Sequence, residues 1–270
     1  MSILNEILEE KKREVLLLQE NREDLVSRAT KAGPPRGFVK KFLENPKPRV
    51  IAEVKQASPS RGVFISDFNY LEIAKRYLSD GAAAISVLTD EKFFQGSISY
   101  LAEISSKIDL PVLQKDFFID EIQLYQARAK SADAVLLIVA ALEATRLKSL
   151  AQKCVELELD ILLEVHNREE MRVALDLLSR QTKEGACSKN TLLGINNRNL
   201  TTFETSLETT VDLIKEFGSE IKDLEISVIS ESGIFKRKDL EALHSCGVSG
   251  FLIGEALIKD QALLPELLRD

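Results

Sequence analysis

The chain lacks the features that mark a disulfide-rich, zinc-binding or membrane protein. Its three cysteines, Cys154, Cys187 and Cys246, are odd in number and far apart, and neither His166 nor His244 lies at paired spacing from them. This argues against a disulfide framework and a zinc site, and free thiols are typical of a reducing compartment. No apolar run approaches the roughly 20 residues that a membrane span needs.

Positive charge is also scarce. The sequence has 36 Lys and Arg against 43 Asp and Glu, for a net charge of -7. Neither a basic tract nor a stripe of alternating aromatic and basic residues is present, so a nucleic-acid or acidic-membrane partner is disfavoured and a small-molecule substrate is predicted. The first residues are rich in acids and have no apolar core, which argues against a secretory signal and favours a cytoplasmic location.

Eight short apolar runs recur along the chain, and several end at a lysine, a glutamate or an asparagine instead of a turn residue. Interleaved with amphipathic stretches of helix length, they predict an α/β fold, a (β/α)8 TIM barrel. The 270 residues suit one barrel domain with residues 1–46 as an N-terminal helical extension. The runs occupy residues 49–56, 82–90, 111–117, 133–139, 160–166, 191–198, 226–233 and 250–256.

Helical spacing predicts one long helix over residues 3–28, which the prolines and glycines of 31–38 end, and a short helix over 38–45. The polar stretch 179–190 is interpreted as an insertion. Because it leads from a helix back into a strand, it is expected at the bottom of the barrel, away from the chemistry. Further helices are predicted at roughly 70–80, 97–107, 119–130, 143–157, 168–179, 207–217 and 236–245.

The first strand carries two ionisable residues that point the same way. Glu53 and Lys55 lie two positions apart, so both side chains project into the barrel mouth. Alone, such a pair would be interpreted as a structural ion pair. Lys115 and Glu164, however, end two further strands, and four ionisable groups at one rim are costly to desolvate. The sequence therefore predicts a functional site at this rim.

Several kinds of chemistry are open to these groups. Lys115 suits a general acid if neighbouring cations or burial lower its pKa, and a Schiff-base lysine is the alternative. Asp116 would face the opposite way in a structural role. Glu164 suits either proton transfer or an ion pair with one of the lysines. The lone His166 is interpreted as a surface or packing residue.

Three later strands add binding groups. Asn196 and Arg198 share one side, where Arg198 offers a fork suited to a carboxylate, although a solvated strand end remains the alternative. Gly233 and Gly254 follow the last two runs, where barrels commonly bind phosphate, although ordinary turns would look the same. Glu255 would repel phosphate, so only its backbone is expected to take part.

Aromatic residues also fall near the rim. Phe93, Phe94 and Phe117 could sandwich an aromatic ring of a substrate, and core packing is the alternative.

In chain order, the segments EVKQASPSRG, SVLTDEKFFQGS, LQKDFF, LLIV, LLEVH, GINNRNL, SESGI and FLIGEAL resemble the indole-3-glycerol phosphate synthase family. The resemblance runs from about residue 3 to the C-terminus. It implies a carboxy-lyase of tryptophan biosynthesis that closes the ring of 1-(2-carboxyphenylamino)-1-deoxyribulose 5-phosphate, with loss of carbon dioxide and water. It implies no cofactor and no metal, and an N-terminal extension that covers the barrel mouth.

The resemblance also implies roles for individual residues. Lys115 would be the general acid in ring closure, and Glu164 would transfer a proton in dehydration. Lys55 would bind substrate and could share the acid role, Glu53 would orient the lysines, and Asn196 matches an active-site position. Arg198 would meet the substrate carboxylate, and Ser232, Gly233 and Gly254 match the phosphate site. The other pocket positions are Ser58, Phe94, Phe117, Leu136, Glu231 and Ile253.

Two other functions are compatible with the sequence alone. A related phosphate-binding barrel isomerase, such as phosphoribosylanthranilate isomerase, would not need the lysine-rich rim. A non-catalytic relative that binds an anthranilate-type ligand would not need the intact acid and lysine set.

Overall fold

Eight parallel strands close into a barrel in the computed structural model, which describes residues 2–46, 48–59, 61–183, 188–200 and 202–269. Sequential strands are neighbours, and the last strand pairs with the first. The predicted (β/α)8 barrel is therefore confirmed. The strands are β1 (Val50–Val54), β2 (Ala84–Leu88), β3 (Val112–Lys115), β4 (Ala134–Ile138), β5 (Asp160–Val165), β6 (Thr191–Asn196), β7 (Ser227–Glu231) and β8 (Gly250–Ile253).

Helices precede the barrel, surround it and end the chain. The extension contains α1 (Ile3–Gln19), α2 (Arg22–Lys31) and α3 (Phe38–Glu44). All seven helices predicted between the strands are present, and the short helix α5 and the C-terminal helices add to them. They are α4 (Tyr70–Ser79), α5 (Glu91–Phe94), α6 (Ile98–Lys107), α7 (Glu121–Ala129), α8 (Ala144–Glu156), α9 (Arg168–Lys183), α10 (Glu208–Asp223), α11 (Arg237–Ser245), α12 (Glu255–Lys259) and α13 (Leu263–Leu268).

Strand alternation places a polar layer above an apolar floor. In β1, Val50 and Val54 pack against the helices, whereas Ile51 joins the cluster inside the barrel. Glu53 and Lys55 continue the inward-facing series of Ile51, because side chains two apart share a face. Leu113, Leu162 and other buried leucines fill the floor. The ionisable groups therefore stand at the C-terminal ends of the strands.

The long helix predicted over residues 3–28 is wrong in one respect. Two helices occupy this stretch, because the chain leaves the helical conformation at Asn21, where φ is -113° and ψ is 22°. Glu23 and Asp24 in the first turn of α2 favour a new helix start, since acidic side chains interact well with a helix N-terminus.

Helix α3 covers the bottom of the barrel. Phe38 and Phe42 are fully buried against the interior cluster, and the backbone N–H of Val39 donates to Asp160 at 2.8 Å. Burial raises the pKa of Asp160 to about 6. This end of the barrel is therefore tightly closed, and access to the interior is from the opposite end.

The predicted insertion at 179–190 lies partly outside the described residues. Helix α9 continues to Lys183, residues 184–187 are not described, and a 3₁₀ turn at Ser188–Asn190 leads directly into the N-terminal end of β6. Within the described part of the chain, no helix combines the length and apolar character needed to cross a membrane.

Candidate active site

A cavity opens at the C-terminal ends of the strands. It encloses about 1180 Å³ of space, including its open mouth. Of the residues that the sequence predicts for the site, all but Phe93 line this one cavity. These residues are Glu53, Lys55, Ser58, Phe94, Lys115, Phe117, Leu136, Glu164, Asn196, Arg198, Glu231, Ser232, Gly233, Ile253 and Gly254.

Glu53 and Lys55 form an ion pair on β1. Lys55 Nζ lies 2.6 Å from Glu53 Oε1, and the Glu53 carboxylate is almost completely buried. The space for this carboxylate comes from Gly254, because a Cβ atom at that position would lie 2.5 Å from Glu53 Oε1. Gly254 therefore leaves the room that the Glu53 side chain occupies, and it also lines the cavity.

Lys115 joins two acidic residues from other strands. Its ammonium lies 2.8 Å from Glu164 Oε2 and 3.4 Å from Glu231 Oε2. Burial would lower the pKa of Lys115, but the negative charges of Glu164, Glu231 and Glu53 outweigh it and raise the pKa above its ordinary value. The condition named for a general acid, a Lys115 pKa lowered by cations or burial, is not met in the free protein, because its charged neighbours are acids. Lys115 is thus held as an ammonium ion.

The two acids around Lys115 titrate in opposite directions. Burial raises the pKa of Glu164, but Lys115 and His166 outweigh burial and hold this pKa well below its usual range. For Glu231, burial and the nearby negative charge of Glu164 raise the pKa to about 8, although Lys115 opposes them. Glu164 is therefore a carboxylate at neutral pH, whereas Glu231 holds its proton more tightly than an ordinary carboxyl group does.

Glu231 fits only because its neighbour on β6 is a glycine. A Cβ atom at Gly194 would lie 2.1 Å from Glu231 Oε1. Neither carboxyl oxygen of Glu231 makes a hydrogen bond, although both are buried. The carboxyl group therefore stands in the barrel with Lys115 as its cationic neighbour and with unused hydrogen-bonding capacity.

Asn196 and Arg198 lie at the end of β6, as predicted. Asn196 Oδ1 accepts a hydrogen bond from the Arg198 backbone N–H at 3.1 Å, and the Arg198 guanidinium lies 3.5 Å from Glu255 Oε2. Lys259 lies 2.6 Å from the other oxygen of Glu255. The Glu255 carboxylate is thereby neutralised, which reduces the repulsion that it would exert on an anion.

The aromatic side of the cavity contains two of the three predicted phenylalanines. Phe94 and Phe117 form a tilted pair with ring centroids 6.1 Å apart. Phe93 lies beneath the Lys92 ammonium, 5.6 Å from the ring centroid to Nζ. Phe94 and Phe117 therefore offer an apolar wall beside Lys115.

Helix α1 supplies cavity residues that the sequence analysis missed. Ile3, Leu4 and Ile7 line the mouth. Lys11, on the same helix, is 1% exposed and lies 2.9 Å from Asp90 and 2.8 Å from Asp116. Lys11 occurs in the sequence EEKKR, which looks like a solvated helix face, so only its helical spacing from Leu4 and Ile7 could have placed it inward.

His166 was also missed. Its Nε2 lies 3.2 Å from Glu164 Oε1, and its Nδ1 lies 2.9 Å from Glu170 Oε2. The interpretation of His166 as a surface residue is therefore wrong, because its side chain is buried and both ring nitrogens lie near carboxylates. The sequence could have predicted this contact, because side chains two apart in a strand share a side and His166 lies two residues after Glu164.

Comparison with known proteins gives consistent matches over most of the chain. Residues 4–267 match the family model described as indole-3-glycerol phosphate synthase. Proteins of that name are 42% identical over 261 residues in Desulforamulus reducens (96% of this chain, 93% of that protein) and 41% over 268 residues in Chloroherpeton thalassium (97% of each). Another, from Burkholderia multivorans, is 46% identical over 222 residues (82% of this chain, 79% of that protein). Since the match spans the barrel, its cavity and helix α1, the chain belongs to the indole-3-glycerol phosphate synthase family.

Proposed function

We propose that this protein converts 1-(2-carboxyphenylamino)-1-deoxyribulose 5-phosphate into indole-3-glycerol phosphate, carbon dioxide and water. One observation carries the proposal: Lys115 stands between Glu164 and Glu231 in a cavity that also holds the Glu53–Lys55 pair. The reaction needs proton transfer to and from oxygen and carbon, and these groups offer ammonium donors and carboxylate acceptors together. Membership of the family favours this reaction over that of a barrel isomerase.

The first chemical step forms a carbon–carbon bond. The ring carbon that bears the carboxylate attacks the ketone carbon of the sugar chain, and the ketone oxygen takes up a proton. Lys115 is the proposed donor, because it is an ammonium ion at the cavity wall. Its raised pKa makes it a weak acid, but the ketone oxygen becomes a strongly basic alkoxide as the carbon–carbon bond forms and can take this proton. Lys55 is the second ammonium group and is assigned to substrate binding, with Glu53 holding it in place at 2.6 Å.

The remaining steps release carbon dioxide and water. Loss of the carboxyl group as carbon dioxide leaves its bonding electrons in the ring, and the new hydroxyl group then departs as water once it is protonated. A proton must also leave the former C1 position of the sugar chain. Glu164 is the proposed base for that proton, since its low pKa keeps it ionised. Asn196 is assigned to hydrogen bonding with the reacting hydroxyl group.

The two anionic ends of the substrate require separate binding sites. Arg198 is assigned to the carboxylate, because a guanidinium fork suits it. Ser232, Gly233 and Gly254 are assigned to the phosphate at the ends of β7 and β8, where barrels commonly bind this group. Phe94 and Phe117, with Leu136 and Ile253, would contact the aromatic ring and its surroundings.

The direct test is a fluorescence assay for the indole product. Purified protein is incubated with the carboxyphenylamino sugar phosphate, and in parallel with N-(5-phosphoribosyl)anthranilate as the isomerase substrate. We expect indole fluorescence from the first mixture and no turnover of the second. Turnover of the isomerase substrate alone would contradict the proposal, and binding of the first substrate without turnover would indicate a non-catalytic relative.

The same proposal includes work in a reducing compartment such as the cytoplasm. Cys154 and Cys246, the cysteines within the described residues, are free thiols, which such a compartment preserves.

A further inference from the structure

His166 lies directly behind Glu164, outside the cavity lining. Its side chain is 7% exposed and has a carboxylate oxygen close to each ring nitrogen. Nδ1 is 2.9 Å from Glu170 Oε2, and Nε2 is 3.2 Å from Glu164 Oε1. The second contact is too poorly aligned to be a hydrogen bond, so it acts as an ion pair. The proposed catalytic base thus has a histidine on one side and Lys115 on the other.

This geometry determines the charge on His166. A neutral imidazole has one N–H and one lone pair, so one of its nitrogens would direct a lone pair at a carboxylate. A doubly protonated ring donates its Nδ1–H to Glu170 and places its positive charge 3.2 Å from Glu164 Oε1. Burial would lower the pKa of His166, but its contacts with Glu164 and Glu170 outweigh this and raise the pKa to about 10.

Glu170 is held in place by the start of helix α9. The backbone N–H of His166 donates to Glu170 Oε2 at 2.8 Å, and Asn167 Nδ2 donates to Glu170 Oε1 at 2.6 Å. The Glu170 N–H in turn donates to Asn167 Oδ1 at 3.0 Å. Both oxygens of Glu170 therefore have fixed donors, and the carboxylate cannot follow the imidazole if the ring moves.

We propose that His166 is a positioning residue: a doubly protonated imidazole, anchored by Glu170, that holds Glu164 as an oriented carboxylate opposite Lys115. The inference rests on the proposed function, in which Glu164 is the base. The charged groups around it are Glu164 on β5, Glu170 on α9, Lys115 on β3, and Glu231 on β7, which acts on Glu164. With two cationic neighbours, Glu164 keeps its charge and orientation when substrate displaces water from the cavity.

The charge on His166 can be measured without any turnover. In ¹⁵N-labelled protein, long-range ¹H–¹⁵N spectra at pH 8 report whether both ring nitrogens carry protons. The chain has two histidines, so His166→Asn assigns the remaining signals to His244. Glu170→Gln removes one acidic neighbour, which disfavours the charged ring, and we expect its titration to move down by at least about one pH unit. Glu169→Gln, exposed on the same helical turn, is the matched control.

The kinetic arm follows the alkaline side of the pH profile of kcat. If His166 must be charged for turnover, kcat of Glu170→Gln falls at a lower pH than kcat of the wild type. The shift should match the one seen in the NMR titration of His166. KM should change little, because His166 does not line the cavity. Glu170→Asp should restore much of the wild-type profile. His166→Asn should lower kcat, and His244→Asn, on α11, should not.

Two outcomes would overturn the inference. One is a neutral His166 at pH 8. The other is a Glu170→Gln profile that superimposes on that of Glu169→Gln. Failure of the proposed function would look different. A wild-type protein that has a charged His166 but makes no indole product would refute the proposed reaction and leave the charge on His166 standing.

Discussion

Replacing Lys11 by methionine tests whether a buried ion network fastens helix α1 over the cavity. Lys11 Nζ lies within 3.0 Å of Asp90, Asp116 and Glu14, and the lysine is 1% exposed. Methionine keeps a flexible apolar stem of similar length but removes the charge. The change therefore leaves two buried aspartates without their shared cation.

The expected loss is large. Removing one partner of a buried ion pair costs about 3–5 kcal/mol, because it leaves an uncompensated charge. Burial would lower the pKa of Lys11, but Asp116 and Asp90 outweigh it and raise the pKa. A raised lysine pKa means that the stabilisation is fully present below the pKa of an unfolded lysine, about 10.4, and is lost only as pH rises through the folded value. Measurements at pH 7 therefore see the whole effect.

The loss should appear first in α1. The barrel keeps its closed hydrogen-bonded sheet, whereas α1 is fastened by Lys11 and by apolar contacts such as Ile7. A cost of about 3 kcal/mol corresponds to at least about 100-fold faster amide exchange where the helix opens locally. We also expect a higher KM, because Ile3, Leu4 and Ile7 form part of the cavity wall.

The matched control is Lys12→Met, one residue along the same helix. Lys12 is 63% exposed and lies 2.6 Å from the exposed Glu9, so its loss should change stability by no more than about 0.5 kcal/mol. Hydrogen–deuterium exchange of α1 and urea unfolding are compared for the two variants. If Lys11→Met and Lys12→Met show equal amide exchange in α1 and equal urea midpoints, the ion network does not fasten the helix.

Three further outcomes are expected. Lys115→Ala should lower turnover at least about 100-fold with unchanged circular dichroism, and unchanged turnover would remove Lys115 from the mechanism. Gly254→Val should raise KM because its Cβ would collide with Glu53, whereas Gly33→Ala, with nothing within 4 Å of the added Cβ, should not. As pH rises from 4 to 7, wild-type protein should lose roughly 1–3 kcal/mol of stability relative to Asp160→Asn, because the raised pKa of Asp160 means that its charged form destabilises the fold. Urea unfolding of both proteins checks this, and a constant stability difference between them across the pH range would contradict it.

The barrel and the position of its site could be predicted because both depend on local patterns. Each strand is a short apolar run, and the residue two places beyond an inward-facing Ile or Leu must also face inward. Glu53 and Lys55 follow directly from that rule. Closed parallel barrels then bring all such strand ends to one rim, so Lys115 and Glu164 could be grouped without knowing any distance.

The remaining features depend on contacts between segments that are distant in sequence. The inward orientation of Lys11 depends on Asp90, which follows the second barrel strand, and on Asp116, which follows the third. The sign of the Lys115 pKa shift depends on which charges surround it, and spacing alone does not give this. The helix break at Asn21 was missed because residues 19–24 contain neither proline nor glycine to mark a helix end.

The glycines at 194 and 254 limit how this barrel can be re-engineered. At each position, the missing side chain leaves the space that a carboxyl group from a neighbouring strand occupies, Glu231 in one case and Glu53 in the other. In a mutant library that diversifies strand ends to accept bulkier compounds, a side chain at Gly194 would displace Glu231, and one at Gly254 would displace Glu53. Such a library should hold both positions constant and vary the apolar wall at Phe94, Phe117 and Leu136 instead.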